Sequence, residues 1–229
     1  MFFLFDAGAI FLGGILGGCF QKRLKMKSLT ALPIAIMLIS IVGLFENIMS
    51  ISGEQIVGES TVIVSIALVL GYAIGERLRL EDRIYSLSKA QTVGANGLID
   101  AILFFGIGGL QISGPILYAL NGDSFQLILK GMIDLPFALM LGATYGKRIS
   151  LSAFFILAMQ IIVALIAYCA RQFIGEDLLA ALCSLGYLIL FFSGYNMLAP
   201  PKNKIKNINI LPGMILIILY QVMKEILIK

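Results

Sequence analysis

The chain has 229 residues, of which 59% are hydrophobic and 13% charged, with a formal net charge of +4 and no His. A soluble globular domain carries about 25% charged residues, so this chain lacks the polar surface to face water and its solvent is lipid; its mean hydropathy is +0.98. The missing His excludes imidazole metal ligation and every Ser-His or Cys-His catalytic pair.

The opening "MFFLFDAGAI" contains Asp6 and no basic stretch. It reads as a first transmembrane helix, not as a cleaved signal peptide. Apolar runs of about 18 to 22 residues then repeat to the end, each able to cross about 30 Å of hydrocarbon. They predict eight helices, at 2–20, 29–48, 60–77, 98–118, 127–146, 151–171, 179–198 and 208–227. The fold class is all-α: a polytopic helical bundle forming a single transmembrane domain over 1–229. The cysteines Cys19, Cys169 and Cys183 are isolated and read as small apolar helix residues.

Charges between the helices set the orientation. The first, third, fifth and seventh connections hold 13 of the 17 basic residues, among them Lys22, Arg83, Arg148 and Lys204, while the others hold only Arg171. Lys and Arg stay on the cytoplasmic side during insertion, so both termini are expected outside. The net charge then reflects topology, and no nucleic-acid partner is needed to explain it. In the long third connection, Leu80, Ile84 and Leu87 fall at helical spacing between charges. This pattern predicts either a short amphipathic helix on the inner interface or a solvated extension of the third span.

Gly-x-x-x-Gly spacings occur at 13–17, 14–18, 71–75 and 142–146. Without Cβ bulk, backbones approach closely, and helix packing is the expected use. "GATYGK" is not a phosphate loop, because it has three residues between its glycines and Arg after Lys. An internal echo joins "ALVLGYAIGERLRL" (67–80) to "ALMLGATYGKRISL" (138–151), identical at seven of fourteen positions. A fainter one joins the Leu-Pro helix entries at Pro33 and Pro212. Both point to a parallel repeat.

The fifth span, "LILKGMIDLPFALMLGATYG", places Lys130 and Asp134 four apart, on one helix face, ahead of Pro136. Lys can snorkel to water. Asp cannot, and an Asp at mid-bilayer costs about 2.5–3.5 kcal/mol, so it needs a partner or water. The preceding span, "FFGIGGLQISGPI", surrounds Gln111 and Ser113 with glycines and Pro115, and predicts a broken helix. Counted back from the "NGDS" turn, Gln111 and Ser113 lie at about the depth of Asp134. Asp6 lies near the depth of Lys130, Gln160 near the middle of the sixth span, and Asp100 at the cytoplasmic start of the fourth. Together these predict an outward-facing polar cavity, against the plainer reading of an interfacial ion pair.

In this hairpin, in "GGILGGCFQKRL", in "LVLGYAIGERLRLEDRI" and in the late "NILPGMIL", the chain resembles the prokaryotic membrane family catalogued as domain of unknown function 554. The resemblance spans essentially the whole chain and includes the Lys and Asp four apart. It implies a multi-span inner-membrane protein and supports the hairpin as a family feature, and it implies no particular activity.

The residues themselves point to a small secondary transporter or ion-conducting protein, with substrate near Lys130, Asp134, Gln111 and Ser113. Asp134 would take a cation or proton. Lys130 would hold an anionic group or serve as an internal cation. The alternative is a non-transporting membrane scaffold, or a module binding lipid or a partner through its basic cytoplasmic face. No His-Glu-x-x-His or Gly-x-Ser-x-Gly motif is present, so no enzyme is expected, and no cofactor. The expected partners are the lipid bilayer and a small ion or solute, and the glycine faces permit a homodimer. The expected location is the cytoplasmic (inner) membrane of a bacterium or archaeon.

Overall fold

The computed structural model describes residues 2–20, 31–50, 54–89, 96–106 and 110–228. Among them every regular element is helical: α1 (Phe2–Cys19), α2 (Ala31–Ser50), α3 (Glu54–Leu78), α4 (Leu80–Lys89), α5 (Asn96–Gly106), α6 (Leu110–Asn121), α7 (Phe125–Tyr145), α8 (Ser152–Cys169), α9 (Glu176–Leu198) and α10 (Leu211–Ile228). Short 3-10 turns at Lys147–Leu151 and Asn207–Ile210 lead into α8 and α10.

Six of these segments are long and apolar enough to cross a membrane: Phe2–Cys19, Thr61–Leu78, Phe125–Tyr145, Lys147–Cys169, Asp177–Leu198 and Asn207–Lys224. The expected second span contains the shorter apolar stretch Pro33–Phe45. The expected fourth span is divided between α5 and α6, on either side of 107–109, which lie outside the described residues. The chain is thus a helical, multi-span membrane protein, with six long spans among the described residues where eight were expected.

Helix α1 shows why lipid is the solvent. It buries Asp6, Ala7, Ile10, Gly13, Gly14 and Gly17, and it exposes Leu4, Phe5, Phe11, Leu12 and Leu16. Apart from Ile10, small and polar side chains face protein while large apolar ones face outward, the reverse of a water-soluble helix.

The chain divides into two compact units, Met1–Ala31 with Tyr85–Cys169, and Leu32–Ile84 with Ala170–Lys229. In the first, α1 lies against α7 backbone to backbone. A Cβ on Gly13 would stand 2.6 Å from the Leu135 carbonyl oxygen, and one on Gly17 would stand 2.0 Å from that of Leu139. A Cβ on Gly142 would in turn stand 2.5 Å from the Gly14 carbonyl oxygen. Residue numbers rise together along both helices, so they run parallel. Helices α5 and α6 run the other way along α7: Gly97 meets Tyr145, Phe104 meets Phe137 with ring centroids 4.5 Å apart, and Gly114 meets Leu127. Gly122, at φ 71°, makes the tight turn between α6 and α7.

In the second unit, α2 and α9 pack antiparallel, Gly43 on the Tyr187 ring and Gly194 on Pro33 and Met37. Asn47 locks the pair by donating to the Ala180 carbonyl at 2.8 Å and to Ser184 Oγ at 2.7 Å. Helix α3 packs against α10 and the turn that leads into it, with Gly71 on Gly213 and Gly75 on Asn209. The expected short helix in the third connection is present as α4, entered through Arg79 at φ 50°. Its first turn is clamped: Glu81 N–H donates to Asn209 Oδ1, the Ile208 N–H donates to Glu81 Oε2, and Lys206 pairs with Asp82 at 2.8 Å. Partial burial pushes the Glu81 carboxyl above the ordinary carboxylate range, against the opposing pull of the Ile208 N–H and Lys206.

The echo between 67–80 and 138–151 marks close packing at Gly71 and Gly142, but the two segments end differently. Helix α3 continues through Gly75 to Leu78, whereas α7 stops before Gly146, which turns the chain at φ 88°.

Candidate functional site

Helix α7 carries polar side chains at every fourth position, Gln126, Lys130 and Asp134, followed by Ala138 and Gly142, and all five are buried. A spacing of four makes successive members neighbours, while the row drifts around the helix by about 40° per step: Gln126 meets Ser113 of α6, and Lys130, Ala138 and Gly142 face α1. Gly131 makes room at the level of Lys130: a Cβ there would lie 2.8 Å from the Phe5 ring and 3.2 Å from the Asp6 Cα. Asp6 is thereby brought onto Lys130.

Lys130 Nζ donates to Asp6 Oδ2 at 3.0 Å and also to Asp134 Oδ2. From α8, Gln160 Nε2 donates to the same Asp6 Oδ2 at 2.6 Å and to Gln111 Oε1 at 3.2 Å. From α6, Gln111 Nε2 reaches the Ile156 carbonyl of α8 at 3.3 Å. Asp6, Gln111 and Gln160 have no exposed surface, and Lys130 and Asp134 are 4% and 6% exposed. Four helices thus converge on one hydrogen-bonded cluster.

Two features of the cluster are chemically unusual. Two carboxylates share one ammonium, so the fully ionised group carries a net charge of −1. Moreover, Asp6 Oδ1 and Gln160 Oε1 are buried with no hydrogen-bond partner. A buried acceptor left unsatisfied costs about 1–3 kcal/mol, and more if charged. Nearby, Pro115 and Pro136 lack the N–H that would bond the carbonyls of Gln111 and Met132 four residues earlier, so the backbone beside the cluster is incompletely hydrogen-bonded.

Asp6, Lys130, Asp134, Gln160 and Gln111 come together. Ser113 does not join them: it donates to Gln126 Oε1, one turn toward the α7 start from Lys130. Counting back from the turn had put Ser113 level with Asp134, but α6 is offset along α7, with residue 114 beside residue 127. Gln126 was missed, although its place four residues before Lys130 was a readable signal. Asp100 lies in α5, and its side chain is outside the described residues. The expected outward-facing cavity is a closed cluster in this structure. Toward the α1 start, Phe2 and Phe3 pack edge-on against Tyr118, with centroids 5.7 and 5.1 Å apart. On the other side lie Phe104, Phe105 and Phe137.

Comparisons with known proteins agree with this membrane architecture. A family model described as "Protein of unknown function (DUF554)" matches residues 3–222. The "Uncharacterized membrane protein YdfK" of Bacillus subtilis (strain 168) is 31% identical over 217 residues, covering 93% of this chain and 92% of that protein. No solved structure matches. With the family model spanning nearly the whole chain and a relative similar along nearly its full length, the chain belongs to the DUF554 family of membrane proteins.

Proposed function

We propose that the chain is a small secondary transporter or ion-conducting protein whose ion site is the Asp6–Lys130–Asp134–Gln160 cluster. The observation that supports this most is the unequal charge count of three buried ionisable side chains. Burying ions away from water costs several kcal/mol each, and apolar residues would pack the same helices without that cost. A cluster of two carboxylates and one ammonium changes net charge when it gains or loses a cation, which is what coupling to an ion gradient requires. Lys130 acts as the internal cation, and Pro115 within α6 and Pro136 within α7 leave backbone carbonyls beside the site without their helical donors. The site is wider than a hairpin of the fourth and fifth spans, because α1 and α8 supply Asp6 and Gln160. We place the protein in the cytoplasmic membrane of a prokaryote with both termini outside, on the distribution of its basic residues.

The test is thermal stability of the detergent-purified protein against a panel of ions, amino acids and small organic acids. A ligand that binds only the folded state raises stability with its concentration. A compound that stabilises wild type but neither folded D134N nor folded K130M supports the reading. A panel that stabilises none of the three proteins removes its basis and favours a scaffold role.

A further inference from the structure

The two unpartnered oxygens belong to one pair of side chains. Gln160 Nε2 donates to Asp6 Oδ2 at 2.6 Å, while the other oxygen of each group, Asp6 Oδ1 and Gln160 Oε1, is buried without a partner. Both are acceptors, so neither can satisfy the other. A carboxylic acid and a primary amide, by contrast, pair through two hydrogen bonds side by side. The amide N–H donates to the acid carbonyl, and the acid O–H donates to the amide carbonyl. The first of these bonds is present here. The second needs a hydrogen on Asp6 Oδ1 directed at Gln160 Oε1, and both of those oxygens are buried without a partner.

We propose that Asp6 is the proton carrier of the site: it binds one proton on Oδ1, that proton donates to Gln160 Oε1, and the loaded cluster is electrically neutral. The balance is simple. One proton from water adds to Oδ1, and no covalent bond of the protein breaks. The cluster passes from −1 to 0, Lys130 keeps its proton and its pairing with Asp134, and both idle acceptors are satisfied together. Among the described residues, the titratable groups facing Asp6 are Lys130 and Asp134, both from α7, while α6 and α8 present the amides of Gln111 and Gln160. A hard metal cation would neutralise the charge too, but Mg and Ca gather about six or more oxygens, and Lys130 and the Gln160 amide already occupy Asp6 Oδ2. The inference rests on the transport reading only for what the proton is used for. The proton site itself stands on the hydrogen-bond geometry.

The test is infrared spectroscopy of the protein in lipid at neutral pH, with its Asp carboxyls isotopically labelled, in water and in heavy water. Wild type is expected to show one deuterium-sensitive carboxylic-acid C=O band. D6N and D134N should each lose it, since the remaining carboxylate is then neutralised by Lys130. D6N should keep its thermal stability, because an Asn amide at position 6 makes both bonds to Gln160 that the protonated acid makes. Q160L should keep the band but move it to higher frequency, as the acid carbonyl loses its N–H donor. A wild type without the band overturns the proposal. So does a band that Q160L leaves in place, which puts the proton on Asp134. Stabilisation of wild type, but not D6N, by sodium chloride over choline chloride makes this a cation site and also overturns it. None of these readings needs a substrate or a sealed vesicle, so a failed flux assay would remove the transporter reading without deciding this one.

Discussion

Gly17→Ala probes the helix contact that holds Asp6 against α7. A Cβ at Gly17 would stand 2.0 Å from the Leu139 carbonyl oxygen, 2.8 Å from its carbon and 2.9 Å from the Ala143 nitrogen. All three atoms are α7 backbone and cannot rotate aside. To restore the 3.4 Å of an ordinary contact, the helices must separate there by about 1.4 Å. A gap of 0.5–1 Å already forfeits roughly a quarter to a half of a dispersion contact, and dispersion is a main attraction between helices in lipid. Overpacking of this kind costs about 1–3 kcal/mol, and a clash with backbone on a glycine face belongs at the upper end. Gly8, on the same helix, faces open space: a Cβ there would meet nothing within 4 Å. At that position the same substitution gains helix propensity worth up to about 1 kcal/mol and meets no clash. Thermal unfolding of both variants in one detergent is the assay, with G17A expected below wild type and G8A at or above it. Equal midpoints for the two variants would refute the backbone-to-backbone packing.

Three further outcomes are expected. Lys130→Met takes the cation away from Asp6 and Asp134 and should cost about 3–5 kcal/mol; adding D6N and D134N should recover most of the lost midpoint, a non-additivity read by comparing the four proteins. Gly131→Ala presses on the Phe5 ring and the Asp6 backbone, so it should lower thermal stability and abolish any ligand-induced stabilisation that depends on Asp6 meeting Lys130. Glu81 is held above its ordinary range by burial, so its stabilising contribution is complete at acid pH and declines as pH rises through that raised value. Glu81→Gln should therefore flatten the fall in melting temperature across the weakly acid range, and an unchanged pH profile would count against the half-buried clamp on α4.

Much of the site was legible because charge in an apolar run is costly wherever the helix sits. Lys130 and Asp134 announce a common face by their spacing, and depth counted from the helix ends put Asp6 level with Lys130, its partner across 124 residues of sequence. What the sequence could not give was lateral packing. Gly13 and Gly17 mark a close contact without naming its partner, since any smooth helix face accepts a glycine face; that α1 lies on α7 depends on Gly131 and Gly142 answering from the other side. Depth failed at Ser113 because α6 and α7 are offset along each other, and a turn of known length does not fix that offset. Six long spans stand where eight were expected because, among the described residues, the second run is the shorter apolar stretch Pro33–Phe45 and the fourth is carried by the short helices α5 and α6.

The most direct test of the central claim is proton movement through proteoliposomes, read by a trapped pH-sensitive dye as each ion, amino acid or organic acid of the panel is added outside. Wild-type vesicles should change internal pH in response to at least one solute, while vesicles with folded D6N should not. D6N vesicles that respond like wild type, or a solute that accumulates in wild-type vesicles with no change of pH, would contradict the assignment of the Asp6–Lys130–Asp134–Gln160 cluster as the coupling site.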